Sequence, residues 1–190
     1  AGGRAFLCHP AWSLNTQDTM RRLRGLTGVE IYNTMSGLPW NAARADSSAL
    51  LDVLFAGGCL LPVTAADDAH FYTGEQCVSY LMVQAELCTW PCLRAALDAG
   101  RFYATQGPRL NGLSFDGKTL RVLSSPVSRV TFYSDLCWVA GRTRVGDGLT
   151  ESEYEVQPGE TFVRVELADE AGRRAWCSPI AISAKEREQA

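Results

Sequence analysis

The segment GVEIYN, residues 28–33, predicts the second of three strands in a parallel sheet. An apolar, strand-like run, AFLC (5–8), precedes it, and another, CLLPVT (59–64), follows it. The two intervals contain helix-like segments, residues 16–26 and 41–56, whose apolar side chains recur at helical spacing. The order β-α-β-α-β is typical of parallel strands that are joined by helical crossovers, so this part of the chain is predicted to be α/β.

After one more predicted strand and one more predicted helix, the sequence pattern changes from mixed α/β to β only. CVSYLMVQA (77–85) predicts a further buried strand, and Thr89 is placed to cap a helix that ends near Leu97. From about residue 101 the helical pattern is replaced by short β-branched or aromatic runs, which NG, DG and PG turn signals separate. These runs predict an antiparallel region of six or seven strands, which we place at residues 107–183.

The overall composition excludes two classes of partner. The 190 residues include 18 Lys and Arg against 21 Asp and Glu, so the net charge is −3. A weakly acidic chain has no positive field for a phosphate backbone, and we therefore expect no nucleic-acid partner. No apolar run reaches the roughly 18 residues that a membrane span needs, so we expect no membrane association either.

The cysteines indicate a reducing compartment. There are seven, an odd number, and Cys8, Cys59 and Cys137 lie inside apolar segments. Buried free thiols are typical of cytoplasmic proteins, which predicts a cytoplasmic location. Cys88 and Cys92 have the wrong spacing for a zinc knuckle and are interpreted as structural.

The chain has only two histidines, and each follows a predicted parallel strand. His9 comes directly after AFLC, and His70 comes after LLPVTAA. Asp68 and His70 form a D-x-H pair, whose side chains project to the same side of an extended chain. Because parallel strands end at one edge of a sheet, His9 can supply a third ligand there. Two imidazoles and one carboxylate suit zinc, manganese or iron.

Three further polar residues lie at the same strand ends and are predicted to line the site or to support its ligands. Glu30 and Asn33 belong to the second strand, and Asp67 directly follows the third. Two of them have structural alternatives: Glu30 can pair with an arginine, and Asn33 can cap a turn.

Five segments, taken in order, resemble the C-terminal portion of PHP-domain proteins, the polymerase-and-histidinol-phosphatase type. They are AGGRAFLCHPAWS, GVEIYN, VTAADDAH, LRAALDAGRFYATQGP and RAWCSPIAI. The resemblance implies that residues 1–106 are the C-terminal half of a (βα) barrel, a partial barrel with parallel strands. A small antiparallel β-sandwich-like domain (107–183) and a charged tail (184–190) would follow it.

The resemblance also implies an activity. PHP proteins of this branch hydrolyse phosphate esters with a hydroxide bound to a cluster of two or three metal ions. By this likeness His9 matches the ligand of the HP motif, and Asp68 and His70 match the ligands of the closing D-x-H motif. Glu30 matches an acidic position at a strand end. The implied substrate is a phosphorylated small molecule.

The family also uses an H-x-H motif and further ligands from the first half of its barrel, and this sequence contains none of them. About 100 residues of βα structure cannot close an eight-stranded barrel, which takes about 250. The chain therefore resembles the C-terminal half of a longer ancestor or a truncated product. We expect weak metal binding and little phosphoesterase activity from this chain alone. We also expect a homo-oligomer, or docking of a separate N-terminal PHP half.

Two readings from other classes remain open. In the first, the β region is a non-catalytic ligand- or protein-binding module that is carried on a relic α/β scaffold. In the second, the chain is a purely structural oligomerisation unit. Metal content separates the readings, since stoichiometric metal at His9, Asp68 and His70 favours the enzyme.

Overall fold

The computed structural model describes residues 3–182, and the predicted charged tail (184–190) lies outside them. The first sheet is parallel and has the order β1-β2-β3. Its strands are β1 (Ala5–Leu7), β2 (Leu26–Asn33) and β3 (Val63–Ala66). The three predicted apolar runs therefore do pair in parallel, with β2 in the middle.

Helices connect and flank these strands. They are α1 (Gln17–Arg22), α2 (Ser48–Ala56) and α3 (Trp90–Asp98), and a single 3-10 turn (Thr34–Ser36) follows β2. In α2 the spacing of the apolar residues buries one face of the helix completely. Within residues 3–182 there is no helix with the length and apolarity that crossing a bilayer requires.

The second sheet is antiparallel and contains most of the remaining chain. Its main path runs β4-β5-β10-β9-β7-β6, with β8 paired to β7 and β11 paired to β9. The strands are β4 (Tyr80–Val83), β5 (Phe102–Thr105), β6 (Leu110–Phe115), β7 (Thr119–Ser134), β8 (Thr143–Glu155), β9 (Phe162–Ala168), β10 (Arg174–Trp176) and β11 (Ile180–Ala181). β7 is 16 residues long and pairs with three neighbours, which makes it the main support of the sheet.

The prediction of a partial (βα) barrel over residues 1–106 is wrong. Within residues 3–182 the parallel sheet stops at three strands, and β4 and β5 join the antiparallel sheet instead. The strand predicted at 77–85 shortens to β4, whose residues alternate between exposed and half-buried. A barrel strand is covered on both faces, whereas this alternation is typical of an antiparallel strand with one open face. β4 accordingly pairs antiparallel with β5, with Leu81 opposite Ala104.

The apolar core joins the two sheets. The cluster under α2 includes Leu51, Leu54 and Phe55, together with Phe162 and Trp176 from the antiparallel sheet. The rings of Phe55 and Phe162 meet edge to face with centroids 5.7 Å apart. Burying such aromatic surface stabilises the contact by the hydrophobic effect and by ring geometry. The parallel sheet and its helices are thus held against one face of the antiparallel sheet.

Candidate functional site at the carboxyl edge of the parallel sheet

The three parallel strands deliver polar residues to one edge of their sheet. His9 lies two residues beyond the end of β1, Asn33 is the last residue of β2, and Asp68 lies two residues beyond the end of β3. Asn33 is paired in register with Ala66, the last residue of β3. The carboxyl edge of an open parallel sheet is where functional groups gather in α/β folds.

Glu30, a buried residue of β2, is the centre of this edge. Its Oε2 atom accepts a hydrogen bond from the backbone N–H of His9 at 2.7 Å and another from Nδ2 of Asn33 at 3.0 Å. Nδ2 of Asn33 also lies 3.4 Å from Oδ2 of Asp68. One network therefore connects the ends of all three parallel strands.

Asn33 is held firmly in this position. Its Oδ1 accepts hydrogen bonds from the backbone N–H and the hydroxyl of Ser36, at 3.0 and 2.9 Å. The side chain thus caps the 3-10 turn, which was the structural alternative for Asn33, and it also bridges Glu30 and Asp68. Because the oxygen is committed to the turn, the amide nitrogen is fixed toward the two carboxylates.

The edge is electrostatically negative. Burial raises the pKa of Glu30 and outweighs the hydrogen bonds from Asn33 and His9 that lower it, and the charge of Asp68 adds to the rise. The pKa of the neighbouring Cys8 thiol is raised by burial and then by the charges of Glu30 and Asp68. In both groups burial is the larger cause of the raised pKa, and the negative charge of the neighbouring carboxylates adds to it.

The loops that follow β1 and β3 contain strained backbone. His9 (φ 35°) and Asp68 (φ 55°) adopt left-handed conformations that side-chain-bearing residues rarely take. Within residues 3–182 the other non-glycine residues with positive φ are Leu14, Tyr72 and Cys77, which lie in the same two loops. Such strain persists only where the surroundings impose it, and it clusters at functional sites.

Both imidazole rings are oriented by hydrogen bonds at Nδ1. Nδ1 of His9 lies 2.7 Å from the hydroxyl of Ser13, and the ring meets Trp12 edge to face. Nδ1 of His70 hydrogen-bonds to the backbone carbonyl of Asp68. Such a contact at one ring nitrogen leaves the other for a ligand.

Asp67 has a structural role in the loop after β3. Its Oδ1 accepts hydrogen bonds from the backbone N–H groups of Val78 and Ser79, at 3.0 and 2.6 Å, and from the Thr34 hydroxyl at 3.2 Å. These contacts connect the two ends of the loop to each other and to the turn after β2. Asp67 therefore stabilises the loop beside the edge and forms no hydrogen bond with Glu30 among the described residues.

Glu75, which the sequence analysis did not single out, organises the tip of that loop. Its carboxylate accepts backbone N–H groups from His70, Phe71, Tyr72 and Thr73, at 2.5 to 3.2 Å. Burial raises the pKa of Glu75, but hydrogen bonds from its own backbone N–H and from those of Phe71, Thr73 and Tyr72 prevail and lower it to about 2. The aromatic side chains of Phe71 and Tyr72 are left exposed beside His70. No sequence signal marks this role, because a lone Glu in a loop has no recognisable spacing.

The donor types at the edge suit a divalent metal, but among the described residues the structure does not group three of them to hold one. Imidazole and carboxylate are ligands that zinc, manganese and iron accept. The predicted ligands His9, Asp68 and His70 all lie at this edge, with Glu30 beside them. Among residues 3–182, however, no group of three or more His, Cys, Asp or Glu residues is arranged to hold a metal ion.

Comparison with known proteins adds no relative. No family model matches the chain, and neither a curated protein nor a solved structure gives a significant match. The site is therefore interpreted from its own geometry and from the resemblance of its motifs.

Proposed function

We propose that the carboxyl edge is part of the centre of a metal-dependent phosphoesterase of the PHP type. The observation that supports it best is the network in which Glu30 binds His9 and Asn33, and Asn33 reaches Asp68. Three separate strand ends are connected there by polar contacts, of which the one between Glu30 and Asn33 is buried. The substrate class that goes with this proposal is a phosphorylated small molecule.

In this proposal His9, Asp68 and His70 supply part of the ligand set for a divalent cation. The cation would supply Lewis-acid activation of water and of the phosphoryl group. Glu30 and Asn33 position the edge, because Glu30 fixes the backbone of His9 and Asn33 fixes the carboxylate of Asp68. The two carboxylates repel a phosphate by themselves, so a cation is needed before an anionic substrate can bind.

The remaining ligands are proposed to come from another chain, either a second copy of this one or a separate N-terminal PHP half. The donor types of His9, Asp68 and His70 support this part of the proposal, although no three donors among residues 3–182 are grouped to hold a metal ion.

Titration of the 190-residue chain with Mn²⁺ in a calorimeter, which measures the affinity for the cation, tests the metal site. We expect weak binding that Asp68→Asn reduces by at least about tenfold, because a charged ligand is lost. Asp147→Asn, which removes an exposed carboxylate of β8, is the matched control and should leave binding unchanged. Metal binding that is identical in both variants would refute the proposed centre.

Hydrolysis of an aryl phosphate by the same chain tests whether the ligand set is complete. We expect little activity with Mn²⁺ or Zn²⁺ present, since a partial set binds the cation weakly. Robust hydrolysis that a chelator abolishes would contradict the need for ligands from elsewhere, while leaving the phosphoesterase function supported.

We propose a cytoplasmic location for this activity. All seven cysteines are free, but the burial expected of Cys8 and Cys137 is wrong, because both are exposed, as are Cys77 and Cys88. Exposed free thiols persist in a reducing compartment and are oxidised outside it. Fractionation of the native host, with detection by an antibody to the chain, tests this location.

A further inference from the structure

A large cavity opens on the antiparallel sheet, away from the carboxyl edge. Its volume is about 820 Å³. Pro62, which directly precedes β3, contributes to its wall, so the cavity lies toward the amino end of the parallel sheet and the candidate metal site lies toward the other end. The apolar part of the wall includes Met82, Val83, Phe102, Leu110, Leu113 and Ile180.

The two sides of the cavity come from the two ends of the sheet path. β4 and β5 contribute one side, and β6 contributes the other. The sheet must therefore curl to bring its first and last strands around a common space. A cavity of this kind and volume is typical of small-molecule sites, which are concave and mostly apolar with a few polar groups.

The wall includes a buried, uncharged thiol. Cys177 is buried, and its Sγ accepts a hydrogen bond from the backbone N–H of Val165 at 3.0 Å. Burial raises the pKa of this thiol to about 11, so it is neutral near pH 7. It behaves there as a small apolar group.

The charged groups of the wall are all positive. Arg101 and Arg109 line the cavity and are exposed, and no Asp or Glu of residues 3–182 lines it. Neither guanidinium forms an ion pair with a carboxylate of the described residues, whereas Arg164 and Arg174 on the same sheet are paired with Asp52 and Asp46. The cavity thus combines an apolar wall with two cations that the rest of the described chain does not neutralise.

We propose that this cavity binds a small amphipathic organic anion, with its apolar body against the wall and its anionic group paired with Arg101 and Arg109. Guanidinium groups bind carboxylate and phosphate oxygens through charge-assisted, often bidentate hydrogen bonds. The apolar body supplies hydrophobic binding energy in proportion to the area that it buries. The proposal is independent of the phosphoesterase function, because the two sites share no residue.

Titration of the 190-residue chain with octanoate, octyl phosphate, octanol and octylammonium tests the proposal. All four are used below their micelle concentrations, and binding is followed by amide chemical shifts in NMR. We expect saturable binding of both anions, with shifts at Gly100 and Gly112, which line the cavity. Octylammonium should bind at least about tenfold more weakly, because its charge is repelled. The tighter of the two anions identifies the headgroup as carboxylate or phosphate.

The double variant Arg101→Gln/Arg109→Gln should reduce the affinity for both anions to that of octanol. Both side chains are exposed, so the variant should fold normally. Arg22→Gln/Arg24→Gln, on and just after α1, changes the net charge equally and should leave anion binding unaltered. Equal binding of all four compounds would overturn the proposal, as would anion binding that the double variant retains or shifts that map elsewhere.

Discussion

Arg164 on β9 and Asp52 on α2 form a bidentate ion pair across 112 residues of sequence. Nε of Arg164 lies 2.5 Å from Oδ1 of Asp52, and Nη2 lies 2.7 Å from Oδ2. The arginine is completely buried, and its guanidinium also stacks on the ring of Tyr133, 4.0 Å from the centroid. This pair fastens the helix that covers the parallel sheet to the middle of the antiparallel sheet.

Asp52→Ala should therefore lower the free energy of unfolding by about 3–5 kcal/mol, because it removes the bidentate partner of a buried guanidinium and leaves only the longer contact with Glu166, at 3.9 Å. Urea denaturation followed by circular dichroism measures the change. Asp18→Ala, which breaks the exposed pair of Asp18 with Arg22, is the control and should cost under about 1 kcal/mol. Replacing both partners, as Asp52→Leu with Arg164→Met, should recover much of the loss, and a double variant no more stable than Asp52→Ala would contradict this explanation.

The carboxylate of Glu75 should make the stability of the loop after β3 depend on pH. Its pKa is about 2 in the folded protein and 4.5 in its ordinary state. The stabilisation is thus present above about pH 4.5 and is lost as the pH falls toward 2. In Glu75→Gln this part of the dependence should disappear, as seen by melting temperatures between pH 7 and pH 3. Glu86→Gln, in an exposed loop, serves as the control and should follow the wild type.

The cysteines should separate into reactive and inert classes. Cys177 is buried, and burial raises its pKa to about 11. Only a small fraction of this thiol is therefore ionised to the nucleophilic thiolate near neutral pH. Iodoacetamide should modify the exposed Cys77, Cys88 and Cys137 well before Cys177, as counted by mass spectrometry of the intact chain and its peptides. In denaturing urea all should react alike, and early modification of Cys177 in the folded protein would contradict its burial.

Gly28→Ala should be destabilising because β2 passes close to both of its neighbours. A Cβ atom at Gly28 would lie 2.7 Å from the carbonyl oxygen of Pro62 and 3.1 Å from the ring of Phe6. Relieving such overlap costs about 1–3 kcal/mol in a packed interior. Gly112→Ala in β6 is the matched control, since its Cβ would contact Leu123 at an ordinary 3.4 Å. Equal stability of the two variants in urea would contradict the close packing around Gly28.

The residues of the candidate edge could be found from the sequence because buried parallel strands have a simple signal. Apolar runs predicted β1, β2 and β3, and parallel pairing places their ends at a common edge, which brought His9, Glu30, Asn33 and Asp68 into one region. Their hydrogen bonds could not be predicted, since these depend on left-handed turns after the strands. The importance of Glu75 depends in the same way on backbone conformation within its loop.

The prediction of a (βα) barrel was wrong because the local sequence pattern does not determine which strands pair. A strand such as β4 has the same apolar residues whether its partner is parallel or antiparallel, and the partner is chosen by contacts remote in sequence. The helix predicted over 16–26 ends at Arg22 because Leu23 is already extended and Gly25 turns the chain with φ 74°. In both cases local periodicity indicated an element, while tertiary contacts and turn geometry decided its limits and its neighbours.

The shared core under α2 has a consequence for how the chain is made. When the ribosome has released α2, the strand that contains Phe162 and Arg164 has not yet been synthesised. The apolar face of α2 and the carboxylate of Asp52 therefore stay without their partners until more than a hundred further residues have been synthesised. Contacts of such long range slow folding and leave apolar surface exposed to chaperones. The nascent chain can therefore complete its fold only when nearly all of it has emerged from the ribosome.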